Sequence, residues 1–386
     1  MTYMQYNPAF SDIIPQSKPG PKRVLSVTGG GLLGVIPAAM LLRFETLGRA
    51  TYGDDYRLCD SFDLVGGTST GAVIATGVAL GLTADEIASF YLEEAPQGFR
   101  PRRFSIPMLH DRLDETRLRS HFSRRTRDRS LNRKDLQCDL TIVAKNLCRS
   151  VPMALSTLLA GQDPRTCLGA ELRGDALPLD RVLRASTAAP GLFRPEVLPL
   201  GDDGADDVFI DGGLSPFNNP ALLLARLAMD CWVEEIAITG LGTGSSRPRH
   251  SAPSVLNATA VSRLLQGLAG AVGDASHQAD GVLADLAAMP GSRVAYEKYD
   301  LDLTEAAFEA VGAEVSRKEL RQMRAFADLR GKKRLFEIAK AYADCIVTEA
   351  LPLTEREAQR RNKQALPGLA GGDNTTTVGC ACVTAG

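Results

Sequence analysis

A chain of 386 residues is long enough for one large domain or two of ordinary size, and its 44% hydrophobic and 23% charged content is that of a soluble globular protein. A formal net charge of −2 removes the global electrostatic case for a nucleic-acid polymer as partner. Eight cysteines, scattered without paired short spacings apart from Cys380-Ala381-Cys382, argue against a disulfide scaffold and suit a reducing compartment.

Residues 1–21 read as a polar N-terminal arm without the apolar core of a signal peptide. No run of about 18 apolar residues occurs, so no membrane span is expected, and the chain reads as cytoplasmic. Val24-Leu25-Ser26-Val27 is a short buried-type strand, followed at once by Thr28-Gly29-Gly30-Gly31-Leu32-Leu33-Gly34. From Leu33 to Arg49, Val35, Ala38, Ala39, Leu42 and Leu47 recur on one helical face. This strand–glycine–helix unit admits two functions. Gly29, Gly31 and Gly34 satisfy a dinucleotide fingerprint with acids at Asp54 and Asp55, although those acids fall in a polar, turn-like stretch. Alternatively, the N–H groups of Gly29, Gly30 and Gly31 form an oxyanion hole.

Phe62 to Val65 is a second short strand, and Gly67-Thr68-Ser69-Thr70-Gly71 then leads into a small-residue helix from Gly71 to Leu82. Gly-x-Ser-x-Gly between a strand and a helix is the pattern of a nucleophile elbow. Gly67 and Gly71 leave room for a sharp turn, and Ser69 stands at a helix N-terminus that favours developing negative charge. Thr83 with Glu86 three residues on is a capping box that starts a helix toward Glu94. Between Pro96 and Lys134 there are 12 Arg or Lys against 4 Asp or Glu. Such a run is either a solvated basic face or a surface for anionic lipid headgroups or a phosphorylated ligand.

Leu140 to Ala144 is a strand, and Asp180 to Pro190 a helix ending at its proline. Val208-Phe209-Ile210 runs straight into Asp211-Gly212-Gly213. Asn219 is placed to cap a helix over Ala221–Met229, with Pro220 in its first turn. Ile236-Ala237-Ile238 is a further strand, closed by Gly240, Gly242 and Gly244. Strands alternating with helices predict an α/β layer around a mainly parallel sheet. Beyond Ser245 the pattern turns helical, with Arg317–Ala350 broken near Gly331 and a Gly/Thr-rich tail from Pro367.

A serine nucleophile needs a base. The four histidines, His110, His121, His250 and His277, all lie away from predicted strand ends. Asp211 ends a strand, so it can reach Ser69 at the sheet edge and take the hydroxyl proton. No close Cys/His cluster predicts a metal.

The segments Thr28–Gly31, Gly67–Gly71, Arg184-Ala185-Ser186-Thr187-Ala188-Ala189-Pro190, Phe209–Gly213 and Asn218-Asn219-Pro220 together resemble the patatin-like phospholipase family over roughly residues 22–226. The resemblance implies a three-layer α/β fold and a Ser69–Asp211 dyad without histidine. It further implies an oxyanion loop at Gly29, Gly30 and Gly31, supported by Gly34, Gly67, Gly71, Gly212 and Gly213, no cofactor, and an acyl-ester lipid such as phospholipid as substrate. Where the family's glycine loop usually holds Arg or Lys, this chain has Leu33. Apolar Leu32, Leu33 and Val35 around the loop agree with a lipid substrate. Residues 227–366 read as a last core strand and a mostly helical extension, and 367–386 as a flexible tail. A patatin core with such an extension resembles in layout the patatin-like effectors of CBASS-type bacterial anti-phage systems. That likeness implies a cyclic-nucleotide activator, while a lipid substrate met without a membrane span implies peripheral membrane contact.

Overall fold

β1 (Lys22–Val27) runs through the middle of the sheet with Val24, Leu25 and Val27 fully buried, as its apolar run predicts. The computed structural model describes residues 20–98, 113, 115–159, 177–200, 205–245, 252–325 and 328–365. The tail expected over 367–386 and most of the arm over 1–21 lie outside those residues. A 3-10 turn at Gly31–Gly34 leads into α1 (Val35–Tyr52), and β2 (Leu64–Thr68) passes through Ser69 into α2 (Thr70–Ala79). α3 (Ala84–Ser89) opens with the expected capping box: Glu86 N–H donates to Thr83 Oγ1 at 3.1 Å, and Thr83 N–H donates to Glu86 Oε2 at 2.8 Å. Regular helix does not continue to Glu94. Phe90–Glu94 forms a π turn before the short α4 (Ala95–Gly98).

α5 (Glu115–Thr126) carries part of the basic stretch, and the strands β3 (Asp139–Asn146) and β4 (Val151–Ser156) follow as a hairpin. Next come α6 (Leu179–Ser186), β5 (Glu196–Leu198), β6 (Asp207–Asp211), α7 (Ala221–Cys231) and β7 (Ile236–Leu241). Pro220, rather than Asn219, stands at the cap position of α7, while Asn219 Oδ1 accepts the Ala221 N–H at 3.2 Å. The C-terminal part adds α8 (Ala252–Leu256), the 29-residue α9 (Ala260–Ala288), β8 (Val294–Tyr299), α10 (Glu305–Glu309), α11 (Arg317–Arg324), α12 (Lys332–Ile346) and α13 (Glu355–Ala365). Gly331, at φ 78°, makes the expected break before α12.

The strands form one sheet in the order β5-β6-β3-β2-β1-β7-β8, with β4 also paired to β3. β3, β2, β1, β7 and β8 are parallel, and the pairs β3–β4, β3–β6 and β5–β6 are antiparallel. The sheet therefore extends one strand beyond β7. Helices cover both faces: α1, α2, α6 and α12 share one buried cluster, and α7 with the C-terminal half of α9 forms another. The C-terminal extension is tied to the core, since Arg361 donates to the Tyr52 carbonyl at 2.5 Å and to Asp60 at 3.1 Å. The helical run Gly31–Tyr52 is long and apolar enough to cross a bilayer, but 72% of its apolar window is buried in the protein. It serves as a core helix here.

Direction within the sheet decides what lies near Ser69. β4 occupies one edge of β3 from Thr141 to Asn146. β6, which pairs with Ala144–Asn146, must therefore use the other edge, where β2 pairs with β3 as far as Val143. β2 and β6 thus approach head to head along one edge of β3, with Thr68 opposite Val143 and Asp211 opposite Ala144.

Candidate active site

Ser69 sits where β2 turns into α2, with φ 54° and ψ −120°, a backbone conformation costly for any residue with a Cβ. The turn closes because Gly71 lies against β1: a Cβ there would stand 2.1 Å from the Val27 carbonyl oxygen. Gly67 packs equally tightly on Gly71. The strained turn is held from both sides. Ser69 N–H donates to Ser186 Oγ at 2.9 Å, and Ser186 Oγ donates to the Val143 carbonyl at 2.6 Å. Thr70 Oγ1 and its carbonyl meet the Tyr91 hydroxyl at 2.5 and 2.9 Å, which places the π turn directly behind Ser69.

Ser69 Oγ donates a 2.7 Å hydrogen bond to Asp211 Oδ2. Asp211 Oδ1 accepts the Gly213 N–H at 2.7 Å, within a 3-10 turn over Gly212–Leu214. Both residues are buried, Ser69 at 8% and Asp211 at 7% exposure. Burial raises the Asp211 pKa from 3.8 to about 6, opposed by the bonds from Ser69 and Gly213 and by the nearby charge of Arg184. Arg184 is itself buried, donates to the Arg194 carbonyl at 3.0 Å, and lies over the Phe193 ring at 5.4 Å. A carboxyl poised near neutrality beside a hydroxyl can exchange a proton with it.

The glycine loop borders this pair. Gly29 N–H donates to the Asn218 carbonyl at 2.9 Å, and its own carbonyl accepts from Thr243 Oγ1 at 2.8 Å. Its N–H is therefore not available as an oxyanion donor, contrary to the sequence reading. The N–H groups of Gly30 and Gly31 find no acceptor among the described residues, and Gly31 adopts φ 58°. Thr70, first residue of α2, has no intrahelical acceptor for its N–H by helix geometry, so it joins them. Gly34 precedes the first residue of α1.

Several expectations fall elsewhere. Leu32, Leu33 and Val35 are buried in the core and offer no surface to lipid. Asp54 and Asp55 lie on the turn closing α1, about 27 Å along that helix from the glycine loop, so they cannot hold a ribose bound there. His121 Nδ1 meets Glu94 at 2.8 Å, and His277 is exposed on α9. His110, His250, Cys380 and Cys382 lie outside the described residues. Among the described residues, no three His, Cys, Asp or Glu side chains are grouped to hold a metal. Ser186, Arg184, Tyr91 and Thr70 had no assigned role in the sequence reading. For the first two, the Arg184–Pro190 motif was the available signal.

Fold and site define a mainly parallel α/β protein with a buried serine–aspartate pair at a strand–turn–helix elbow. Residues 25–225, just over half of the chain, match the family model for patatin-like phospholipase, and the chain belongs to that family. It is 32% identical over 218 residues to the cGAMP-activated phospholipase of Escherichia coli (strain TW11681), covering 55% of this chain and 57% of that protein. Patatin-17 of Solanum cardiophyllum is 26% identical over 226 residues, covering 53% and 52% of the two chains. The Arabidopsis thaliana protein named probable inactive patatin-like protein 9 is 27% identical over 243 residues, covering 58% and 61%. The chain thus matches 52–61% of the length of these curated relatives.

Proposed function

We propose that this chain is a lipid acyl hydrolase of the phospholipase A type. A relative named probable inactive is 27% identical and one named a phospholipase 32%, so overall similarity is a weak guide to activity. The observation that carries the reading is the 2.7 Å bond from Ser69 Oγ to Asp211 Oδ2 at the elbow. Ser69 Oγ attacks the ester carbonyl as its proton passes to Asp211; the ester C–O bond then breaks, and Asp211 gives that proton to the departing alcohol, leaving the acyl-enzyme. Water attacks the acyl carbon, loses a proton to Asp211, and the carboxyl returns it to Ser69 Oγ as the fatty acid leaves. The N–H groups of Gly30, Gly31 and Thr70 are the donors for the oxyanion, each worth about 3–4 kcal/mol in the transition state. Arg184 draws Asp211 toward its ionised form and so keeps the base usable near neutral pH.

The test is fatty-acid release from phospholipid vesicles and from soluble short-chain esters by wild type, Ser69→Ala and Asp211→Asn. Loss of release in both variants with folding intact supports the dyad. Undiminished release by Ser69→Ala sinks it.

A second reading adds control. The 32% identity to a protein named for activation by cGAMP, together with the helical extension after β7, supports a nucleotide-activated effector in the cytoplasm. In this reading a cyclic dinucleotide raises phospholipid hydrolysis from a low basal rate. Equal rates across a cyclic-dinucleotide panel refute it.

A further inference from the structure

α9 has one apolar face and two fates for it. At 100° per residue, Leu264, Leu268, Ala271, Val272 and Ala275 fall on the same side as Ala279, Leu283 and Leu286. In the C-terminal half this side is covered: Leu283 is fully buried among α7, β7 and β8, with Leu286 packed beside it. In the N-terminal half the cover runs out: Val272 and Ala275 are still half-buried, and Ala271 is exposed. Before them, Leu264 is 63% and Leu268 47% exposed.

The helix leaves the body beside the candidate site. Asn219 Nδ2 donates to Asp280 Oδ1 at 2.6 Å and to the Ser276 carbonyl at 3.4 Å. Tyr296 also donates to Asp280, at 2.6 Å. α9 runs antiparallel to β8, because Leu283 packs near Val294 at the start of that strand, whereas Asp280 meets Tyr296 and Lys298 further along. Residues before Ser276 therefore extend past the sheet edge where Ser69 and Asp211 meet, for about 24 Å at 1.5 Å per residue.

Two observations select the partner. Leu264–Gly273 contains no charged residue and is preceded by Arg263. α5 exposes Arg117, Arg119 and Arg124, with Arg127 exposed just after it, and Arg119 acts electrostatically on Arg184, as Asp211 does, so this basic helix borders the same site. An apolar ridge and a basic face flanking one site complement an anionic bilayer, whose interface accepts apolar side chains and whose headgroups attract cations. A second copy of the chain is disfavoured by size. Two leucines and a few small residues offer far less than the roughly 800 Å² per partner of a stable interface.

We propose that the N-terminal half of α9 is a docking helix for anionic phospholipid membrane, laying Leu264 and Leu268 into the interface with α5 over the headgroups. The choice of a lipid surface rests on the acyl-hydrolase reading, but its test does not need activity. Full-length Ser69→Ala protein is sedimented with vesicles of phosphatidylcholine and phosphatidylglycerol in equal parts, with and without Leu264→Asp and Leu268→Asp. Binding should fall about tenfold or more in the doubly substituted protein. Hydrolysis of a soluble short-chain ester by Ser69-containing protein should be unchanged by the same substitutions. A Leu268→Trp variant should shift its emission to the blue on these vesicles, beyond any change from the native Trp232.

Undiminished binding of the doubly substituted protein, or an unmoved emission from the Leu268→Trp variant, overturns the proposal. Equal binding to phosphatidylcholine alone overturns its electrostatic half. A dimer that becomes monomeric on the double substitution while vesicle binding persists assigns the ridge to a second copy instead. If wild type cleaves neither vesicles nor soluble esters, the hydrolase reading fails and the sedimentation result still decides the docking helix.

Discussion

Replacing Asp211 by Asn should stabilise the protein at alkaline pH while abolishing hydrolysis. Asp211 is 7% exposed, and burial lifts its pKa from 3.8 to about 6 despite the bonds from Ser69 and Gly213 and the attraction of Arg184. A difference of about 2 pKa units corresponds to ~3 kcal/mol. Because the folded-state value lies above the unfolded one, folding favours the protonated carboxyl. Its contribution is complete below about pH 3.8, is lost as pH rises through about 6, and by pH 8 the fold carries the full cost of an ionised buried carboxylate. Asn bears no charge, and its amide oxygen can still accept the Gly213 N–H. The variant should therefore gain ~3 kcal/mol over wild type at pH 8 and nothing near pH 4. With an unfolding entropy of about 0.8 kcal/mol/K for a chain this long, the gain at pH 8 is about 4 °C in Tm. Scanning calorimetry of both proteins at pH 8, 6 and 4.5 measures it. A variant no more stable than wild type at pH 8, or a gain that is the same at every pH, refutes the burial argument.

The same carboxyl sets the pH dependence of rate: kcat/KM on a soluble ester should rise about tenfold per pH unit below about 6 and level off above it, as a pH–rate profile will show. Ser69→Gly should relieve the strain at φ 54° and raise stability by about 1 kcal/mol in denaturant titrations, with hydrolysis lost. Gly71→Ala drives a Cβ to 2.1 Å from the Val27 carbonyl, a backbone clash that should cost about 3 kcal/mol or more and appear as lost soluble yield and lower Tm. Lys298 is buried between Asp280 at 2.5 Å and Asp300 at 3.6 Å, so Lys298→Met leaves two carboxylates uncompensated and should destabilise by about 3–5 kcal/mol in urea unfolding.

Much of the local architecture was legible. The elbow at Ser69, the capping box at Thr83 and the break at Gly331 each depend on a few adjacent residues whose sterics and hydrogen bonding act over one turn. The π turn at Phe90–Glu94 was not legible, because it is held from outside: Tyr91 reaches Thr70, and Glu94 meets His121 and Arg125. β8, with its alternating and partly exposed Val-Ala-Tyr-Glu-Lys-Tyr, is a strand because β7 offers a free parallel edge. The availability of the Gly29 N–H was likewise settled by Asn218, a residue far along the chain.

The sequence by itself determined the residue types and turns of the candidate site: a serine in a glycine-flanked elbow, a glycine-rich loop after β1, and an aspartate at the end of an apolar run. These follow from steric and periodic constraints that act between near neighbours. Only the tertiary structure decided that Ser69 and Asp211 meet. A strand end reaches the same sheet edge as Ser69 most simply by running parallel to β2, yet β6 is antiparallel to β3. It brings Asp211 to Ser69 because it pairs with just Ala144–Asn146 and stops head to head with β2. Strand direction and the depth of that short pairing are set by which backbone edges remain free once β4 has covered the other side of β3, a contest among distant segments that no local pattern records.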